Sequence, residues 1–228
     1  MVRAGAVFLI VHTFSSTAIS ADDTIADRCN CLASSNLVVA FTPDLPKLAA
    51  QYEGQKSTEE TTKQSTGSGE FAWTPTLAEN SWIYVVVHHS ATKSGSVESI
   101  HAEHQQRKDS SGNLWLGIGY HFVIGNGAGM KDGEIQPTFR WRQQIHGAHS
   151  GSMVHNANGI GVCLIGDFQL HAPTEKQLEA VTTLVTDLSR RYKIPARLII
   201  GHNTVKPTNC PGKKFPLQDV RNSVSGKI

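Results

Sequence analysis

Short apolar runs recur along the last two-thirds of the chain, each rich in β-branched residues and bounded by Gly, Asn or Ser. Runs of this length and composition predict β-strands. Their apolar residues are continuous rather than alternating, which is typical of strands buried on both faces. The predicted strands cover residues 83–88, 120–124, 160–165 and 198–201.

Helical patterns lie between these strands. Residues 174–177, Thr-Glu-Lys-Gln, form a capping box, and apolar residues follow it at helical spacing as far as residue 192. Residues 96–107 predict a second helix, and residues 217–220 predict a short last one. Strands that alternate with helices predict an α/β fold, here a single domain with a central mixed β-sheet flanked by helices.

The first twenty residues follow the layout of a secretory signal peptide. They place Arg3 before an apolar run, residues 4–14, and small residues at Ala18 and Ser20 before the predicted cleavage site. A short buried helix is the alternative interpretation of the same run. We therefore expect a secreted protein, periplasmic or extracellular, from which residues 1–20 are removed.

The next segment, residues 21–76, has a weaker pattern. Within it, residues 55–69 are rich in Ser, Thr, Glu and Gly, a composition that cannot bury a core and predicts a flexible linker. We expect an N-terminal extension and linker over residues 21–76, followed by the organised domain over residues 77–228.

The charge of the chain excludes some partners. There are 21 Lys and Arg against 19 Asp and Glu, the formal net charge is +2, and the charges are scattered. A nucleic-acid partner is not expected, because the basic patch that would bind it is missing. No segment after the signal peptide has the length and hydropathy of a membrane span. We expect no integral membrane segment in the mature chain. We also expect the protein to be a monomer.

Candidate chemistry lies at the ends of two predicted strands. His88 ends the first strand, His202 follows the last one, and Cys210 comes shortly after it. Two imidazoles and one thiolate form a three-ligand set for Zn²⁺ with a fourth position open for water or substrate, which is the pattern of a catalytic site. We expect this zinc site at the strand ends, in a surface groove.

Each of these residues also has a plainer interpretation. His88 could be a buried histidine with satisfied hydrogen bonds, Cys210 could be half of a disulfide, and another histidine could close a structural zinc site. Structural zinc sites usually have closely paired ligands, so the wide spacing here favours catalysis. Cys163, within a predicted strand, is expected to be a buried thiol, and no role is assigned to Cys29 and Cys31.

Four segments, in a fixed order, resemble a known family. Together they are similar to the peptidoglycan-recognition-protein family, which includes phage lysozymes of the amidase type and bacterial N-acetylmuramoyl-L-alanine amidases. The ordered set, spanning about residues 81–216, is far more specific than any one motif. The segments are residues 87–93 (VHHSATK), 119–124 (GYHFVI), 158–164 (NGIGVCL) and 201–212 (GHNTVKPTNCPG).

The resemblance implies a role for each matching residue. The zinc ligands of the family correspond to His88, His202 and Cys210. The tyrosine that lines the site and assists catalysis corresponds to Tyr120. The position two before the cysteine, which is Thr in the recognition-protein branch and Lys in some phage enzymes, is Thr208 here. Its hydroxyl, like the Tyr120 phenol, is suited to stabilising the oxyanion or orienting the water, so we expect both residues to be catalytic.

Two further positions resemble residues of the family's substrate groove. His149 and Asn156 correspond to a groove histidine and asparagine, which implies contact with the muramyl sugar or the stem peptide. Capping of the local loop is the alternative. Arg140 and Trp141 could clamp and stack on a substrate, but partly exposed packing is the preferred interpretation.

The resemblance implies zinc-dependent hydrolysis of the amide bond between N-acetylmuramic acid and L-alanine, with peptidoglycan or a muropeptide as substrate. Zinc would make a water molecule nucleophilic near pH 7 and polarise the carbonyl. The proton-transfer group stays open between Tyr120, Thr208 and water. A non-catalytic peptidoglycan-binding module is the main alternative, because some family members lack the cysteine, and a structural zinc protein is another.

Overall fold

A five-stranded mixed β-sheet runs through the part of the protein that the computed structural model describes, residues 73–226. The predicted signal peptide and the extension up to residue 72, including Cys29 and Cys31, lie outside the described residues, so the predicted domain boundaries stay predictions. In chain order, the strands are β1 (Tyr84–His89), β2 (Phe122–Ile124), β3 (Ile135–Pro137), β4 (Gly159–Leu164) and β5 (Ile199–Gly201).

The strand order across the sheet is β3-β2-β4-β1-β5. β1 is parallel to both β4 and β5, β2 is parallel to β4, and β3 is antiparallel to β2. The four predicted strands are confirmed, as is the mixed sheet, whereas the sequence does not predict the three-residue β3. The carboxyl ends of the four parallel strands meet at one edge of the sheet, where α/β folds commonly bind ligands.

Helices connect the strands and pack on the sheet. The three predicted helices are confirmed with slightly different ends, and three helices of four to six residues are additional. None of the helices among residues 73–226 is long and apolar enough to cross a membrane. In chain order, the helices are α1 (Val97–Gln105), α2 (Phe139–Arg142), α3 (Met153–Asn158), α4 (Glu175–Tyr192), α5 (His202–Val205) and α6 (Leu217–Val224).

The longest helix, α4, forms one wall of the main core. Its capping box is present, since Thr174 Oγ1 accepts the Gln177 N–H and the Gln177 side chain accepts the Thr174 N–H. Leu184 and Leu188 of its apolar stripe are fully buried, and burial of each contributes about 1.5–3 kcal/mol. The Gln177 side chain also donates to the Ile165 carbonyl, 2.8 Å away, which ties the start of α4 to the residue after β4.

The two faces of the sheet pack against different clusters of apolar residues. Because side chains alternate across a strand, Val85 and Val87 of β1 pack into the α4 core, whereas Val86 and His88 point to the other face. Val123 of β2 belongs to a smaller apolar cluster on that second face. The alternation of β1 therefore turns His88 away from the main core.

Arg140 and Trp141 are core residues, with 2% and 1% of their surface exposed. The Trp141 ring stacks on Trp82 with 6.4 Å between ring centroids. Arg140 donates from Nε to the Ile118 carbonyl and from Nη1 to the His146 carbonyl, both at 2.6 Å. The packing interpretation is confirmed, although both side chains are buried rather than partly exposed, so neither can stack on a sugar.

Candidate metal centre

Three potential metal ligands lie together at the carboxyl edge of the sheet. One ligand atom from each of His88, His202 and Cys210 lies within 4.8 Å of the other two, and His88 Nδ1 and Cys210 Sγ are 3.6 Å apart. Ligand atoms of a tetrahedral zinc ion with bonds of about 2.0–2.3 Å lie about 3.5 Å from one another. The donor types and the spacing of this group therefore fit zinc.

The sheet topology brings the two histidines together. β1 and β5 are parallel neighbours, His88 lies near the end of β1, and His202 directly follows β5. The chain then turns through α5 and returns, because the Asn203 N–H donates to the Cys210 carbonyl at 2.8 Å. Two strand ends and one hydrogen-bonded loop thus supply the three ligands.

The Cys210 thiol is buried, with 8% of the residue exposed. Burial raises its pKa to about 11, and a hydrogen bond from the His89 backbone N–H, 3.3 Å from Sγ, partly opposes this shift. A divalent cation beside the sulfur would favour the thiolate, because a thiol that coordinates a metal is deprotonated. The His89 N–H would then stabilise the thiolate by a charge-assisted hydrogen bond.

Both candidate ligand histidines are neutral near pH 7. Burial lowers the pKa of His88 well below its ordinary value, and the neighbouring His149 and His202 add to this shift. Burial also lowers the pKa of His202, against the opposing effect of its contact with the Ser150 carbonyl. Neutral imidazole is the form that binds metals. Both rings are therefore already in the form that binds a cation.

Tyr120 and Thr208 lie beside the ligand group. The ring centroids of Tyr120 and His88 are 5.1 Å apart. Burial raises the pKa of the Tyr120 phenol well above its ordinary value, with Cys163 and Cys210 adding to the shift, so the phenol is a proton donor at neutral pH. Thr208 Oγ1 accepts the Cys210 N–H at 3.3 Å, and a hydroxyl that accepts can still donate its own hydrogen. The catalytic roles of both residues stay predictions.

His149 and Asn156 make contacts inside the protein. His149 is buried, and its Nδ1 lies 3.0 Å from His88 Nε2. Asn156 Oδ1 accepts the backbone N–H groups of His149 and Ser150, at 3.0 and 2.9 Å. These contacts agree with the loop-capping alternative for Asn156, and binding of substrate by either residue stays a prediction.

Two backbone groups complete the site, and the sequence does not predict them. The Ser150 carbonyl lies 3.1 Å from His202 Nε2, and the His89 N–H reaches the sulfur of Cys210. Backbone groups are the same in almost every residue, so no residue pattern signals such contacts. Cys163, opposite His88 in the β1–β4 register, is buried as predicted.

A cavity of about 370 Å³ lies at the same edge of the sheet. The loop that follows β1 contributes Lys93 to its lining, and the loop that follows β4 contributes Asp167, Phe168 and His171. His89 contacts both a lining residue of this cavity and the ligand group, because its Nδ1 accepts the Phe168 N–H at 3.1 Å and its backbone N–H donates to Cys210 Sγ at 3.3 Å. The cavity is a candidate for part of the predicted surface groove.

Comparison with protein families gives one match that spans most of the described residues. Residues 78–213 match the family model described as N-acetylmuramoyl-L-alanine amidase. The matched range contains β1 to β5 and all three candidate ligands.

Individual relatives cover the same part of the chain. Peptidoglycan-recognition protein SC2 of Drosophila melanogaster is 30% identical over 155 residues, which are 65% of this chain and 78% of that protein. The endolysin of Enterobacteria phage K11 is 30% identical over 137 residues, 58% of this chain and 80% of that protein. Among solved structures, the endolysin N-acetylmuramoyl-L-alanine amidase LysCS from Clostridium intestinale is 28% identical, with a TM-score of 0.54, over 64% of this chain and 84% of that one.

Proposed function

The chain belongs to the N-acetylmuramoyl-L-alanine amidase family, and on that premise we propose that it is an active zinc amidase. In this proposal His88, His202 and Cys210 hold the zinc ion, and the protein hydrolyses the amide bond between N-acetylmuramic acid and L-alanine in peptidoglycan. The observation that carries the proposal is the close group of two imidazoles and a thiol, whose spacing suits a zinc ion. Binding of peptidoglycan alone would require no such group.

Zinc, when bound, supplies Lewis-acid chemistry that polarises the scissile carbonyl and makes water nucleophilic near neutral pH. The protonated Tyr120 phenol then donates to the carbonyl oxygen as negative charge develops there. The Thr208 hydroxyl orients the attacking water or donates to the same oxygen. Neither hydroxyl has an ordinary pKa near 7, so the attacking water, whose oxygen adds to the carbonyl carbon, also supplies the proton that the leaving L-alanine amine takes up.

Peptidoglycan or its fragments are the proposed substrate. The name of the recognition-protein relative supports peptidoglycan as the ligand, and the two endolysins among the relatives support its cleavage. Secretion follows in the proposal from the signal peptide at residues 1–20. The amidase domain, residues 77–228, then acts outside the cytoplasm at the end of the linker.

The test is release of stem peptides from peptidoglycan by purified protein, detected as new L-alanine amino termini. Wild type should release them, whereas Cys210→Ala and chelator-treated protein should not, and added zinc should restore only the chelated wild type. His146→Ala is the matched control, because His146 is an exposed histidine outside the ligand group. Release that survives both treatments would contradict the zinc mechanism. Binding of peptidoglycan without release by wild type would favour the non-catalytic module.

A further inference from the structure

We propose that the loop residues His149 and Ser150 determine which nitrogen of each ligand histidine faces the metal, and that Asn156 holds this loop in place. The inference rests on the proposed zinc site and adds three positioning residues to it. Two chains of hydrogen bonds support it, and each runs from a backbone carbonyl to one of the two ligand histidines.

The first chain of hydrogen bonds fixes the tautomer of His88. His149 Nε2 lies 3.2 Å from the Gly159 carbonyl, and a carbonyl only accepts, so this nitrogen carries the hydrogen. Nδ1 of the neutral His149 ring is then an acceptor, and it lies 3.0 Å from His88 Nε2. His88 must therefore donate from Nε2, which leaves a lone pair on Nδ1, the nitrogen that faces Cys210 Sγ.

The second chain is shorter and fixes the tautomer of His202. Its Nε2 lies 3.1 Å from the Ser150 carbonyl, so Nε2 carries the hydrogen and Nδ1 keeps the lone pair. Two consecutive residues, one through its side chain and one through its backbone, thus orient the two ligand rings. Such outer contacts commonly set the tautomer and the orientation of metal-binding histidines.

The fold holds the His149 ring in a slot that only glycine permits. A Cβ atom on Gly147 would come within 2.3 Å of the ring, and one on Gly161 within 2.5 Å. Both distances are far below van der Waals contact. With glycine on both sides the ring is enclosed and 7% of the residue is exposed, so packing fixes the plane of the ring and the hydrogen bonds decide which positions its two nitrogens take.

Asn156 on α3 anchors the loop. Its Oδ1 accepts the N–H groups of His149 and Ser150, at 3.0 and 2.9 Å, and the Ser150 hydroxyl at 2.9 Å. Its own carbonyl accepts the Gly147 N–H at 2.8 Å. Asn156 therefore fixes the loop on both sides of the His149 ring.

Zinc affinity separates this role from a contact with substrate. Removal of the acceptor by His149→Leu leaves the His88 Nε2–H buried without a partner, and loss of such outer contacts weakens metal binding by about 10–100-fold. His149→Asn should restore most of the affinity, because Asn Oδ1 stands where His Nδ1 stands relative to Cβ. Asn156→Ala should weaken binding in the same direction. A residue that only touched substrate would leave zinc affinity unchanged.

The experiment measures zinc affinity by chelator competition on the full-length protein, with nitrogen-detected NMR of the imidazoles in zinc-free wild type. We expect His88, His149 and His202 all to be Nε2–H tautomers. A His88 ring protonated on Nδ1, or a folded His149→Leu variant within twofold of wild-type affinity, would overturn the positioning role. If His149→Leu does not fold, the NMR result and the comparison of His149→Asn with wild type decide.

A Cys210→Ala variant distinguishes the two proposals. If Cys210→Ala binds zinc as tightly as wild type, the ligand set itself is wrong, and the proposed function fails. If Cys210→Ala loses zinc while His149→Leu keeps it, the ligand set stands and only the positioning role fails.

Discussion

The apparent affinity of the protein for zinc should rise about tenfold for each unit of pH between about 6.5 and 8.5, because binding releases one proton from Cys210. Burial raises the pKa of this thiol to about 11, so it stays protonated throughout that range. His88 and His202 have lowered pKa values and are neutral already. The slope of the logarithm of zinc affinity against pH should therefore correspond to release of one proton rather than two or three.

The pKa of the Cys210 thiol sets how strongly pH affects zinc affinity. The pKa of the Cys210 thiol is about four units above pH 7, so forming the thiolate at pH 7 costs about 5 kcal/mol. Zinc binding in small structural sites contributes about 10–16 kcal/mol at this pH, which exceeds that cost. Each rise of one pH unit lowers the cost of forming the thiolate by about 1.4 kcal/mol, which corresponds to a tenfold increase in zinc affinity.

The assay is competition with a zinc chelator of known pH dependence. Cys210→Asp is the matched control, because a carboxylate also binds zinc and is already ionised in this range, so its affinity should be nearly flat with pH. A flat wild-type curve would mean that the thiol is ionised in the metal-free protein. A slope of two or more near pH 6.5 would mean that a histidine is protonated. Either result would contradict the release of a single proton from Cys210.

Three further predictions concern the site and the fold. Tyr120→Phe should lower the rate of amide hydrolysis by about 10²–10³-fold if the phenol stabilises developing charge. Chelator competition should find the zinc affinity of this variant unchanged. Equal rates for wild type and Tyr120→Phe would contradict that role of the phenol. Leu184→Ala should lower the free energy of unfolding by about 2–5 kcal/mol because it opens a cavity under α4, measured by urea denaturation, whereas the exposed Thr183→Ala should change it by less than about 0.5 kcal/mol. Thr174→Ala should cost about 0.5–2 kcal/mol in the same measurement through loss of the α4 cap, and no change there would show that the capping box is dispensable.

Local patterns explain which elements of the fold could be predicted. The strands containing Val85, Val123, Val162 and Ile199 are apolar runs, and α4 begins at a capping box and continues at helical spacing, so neighbouring residues carry the signal. The additional elements are too short for any periodicity to appear. β3 has three residues, including Pro137, and exists because β2 offers it a hydrogen-bonding edge. Short helices such as α5 form where a loop turns.

Residue types and their order were likewise enough to single out His88, His202 and Cys210, and the folded chain brings these three together. The resemblance also singled out His149 and Asn156, and the loop-capping alternative agrees with the backbone contacts of Asn156 but does not indicate the contact of His149 with His88. Sequence spacing cannot show that His149 lies beside His88, because 61 residues separate them along the chain.

The tertiary structure alone decided which atom of each residue faces which neighbour. A histidine offers two nitrogens, and the choice between them depends on what stands behind the ring: His149 for His88, and the Ser150 carbonyl for His202. A backbone carbonyl has no signature in the sequence, and the slot for the His149 ring exists only where Gly147 and Gly161 meet across the fold. The sequence determined which ligands were available, and long-range contacts decided how they are oriented, because hydrogen bonds depend on distance and direction in space.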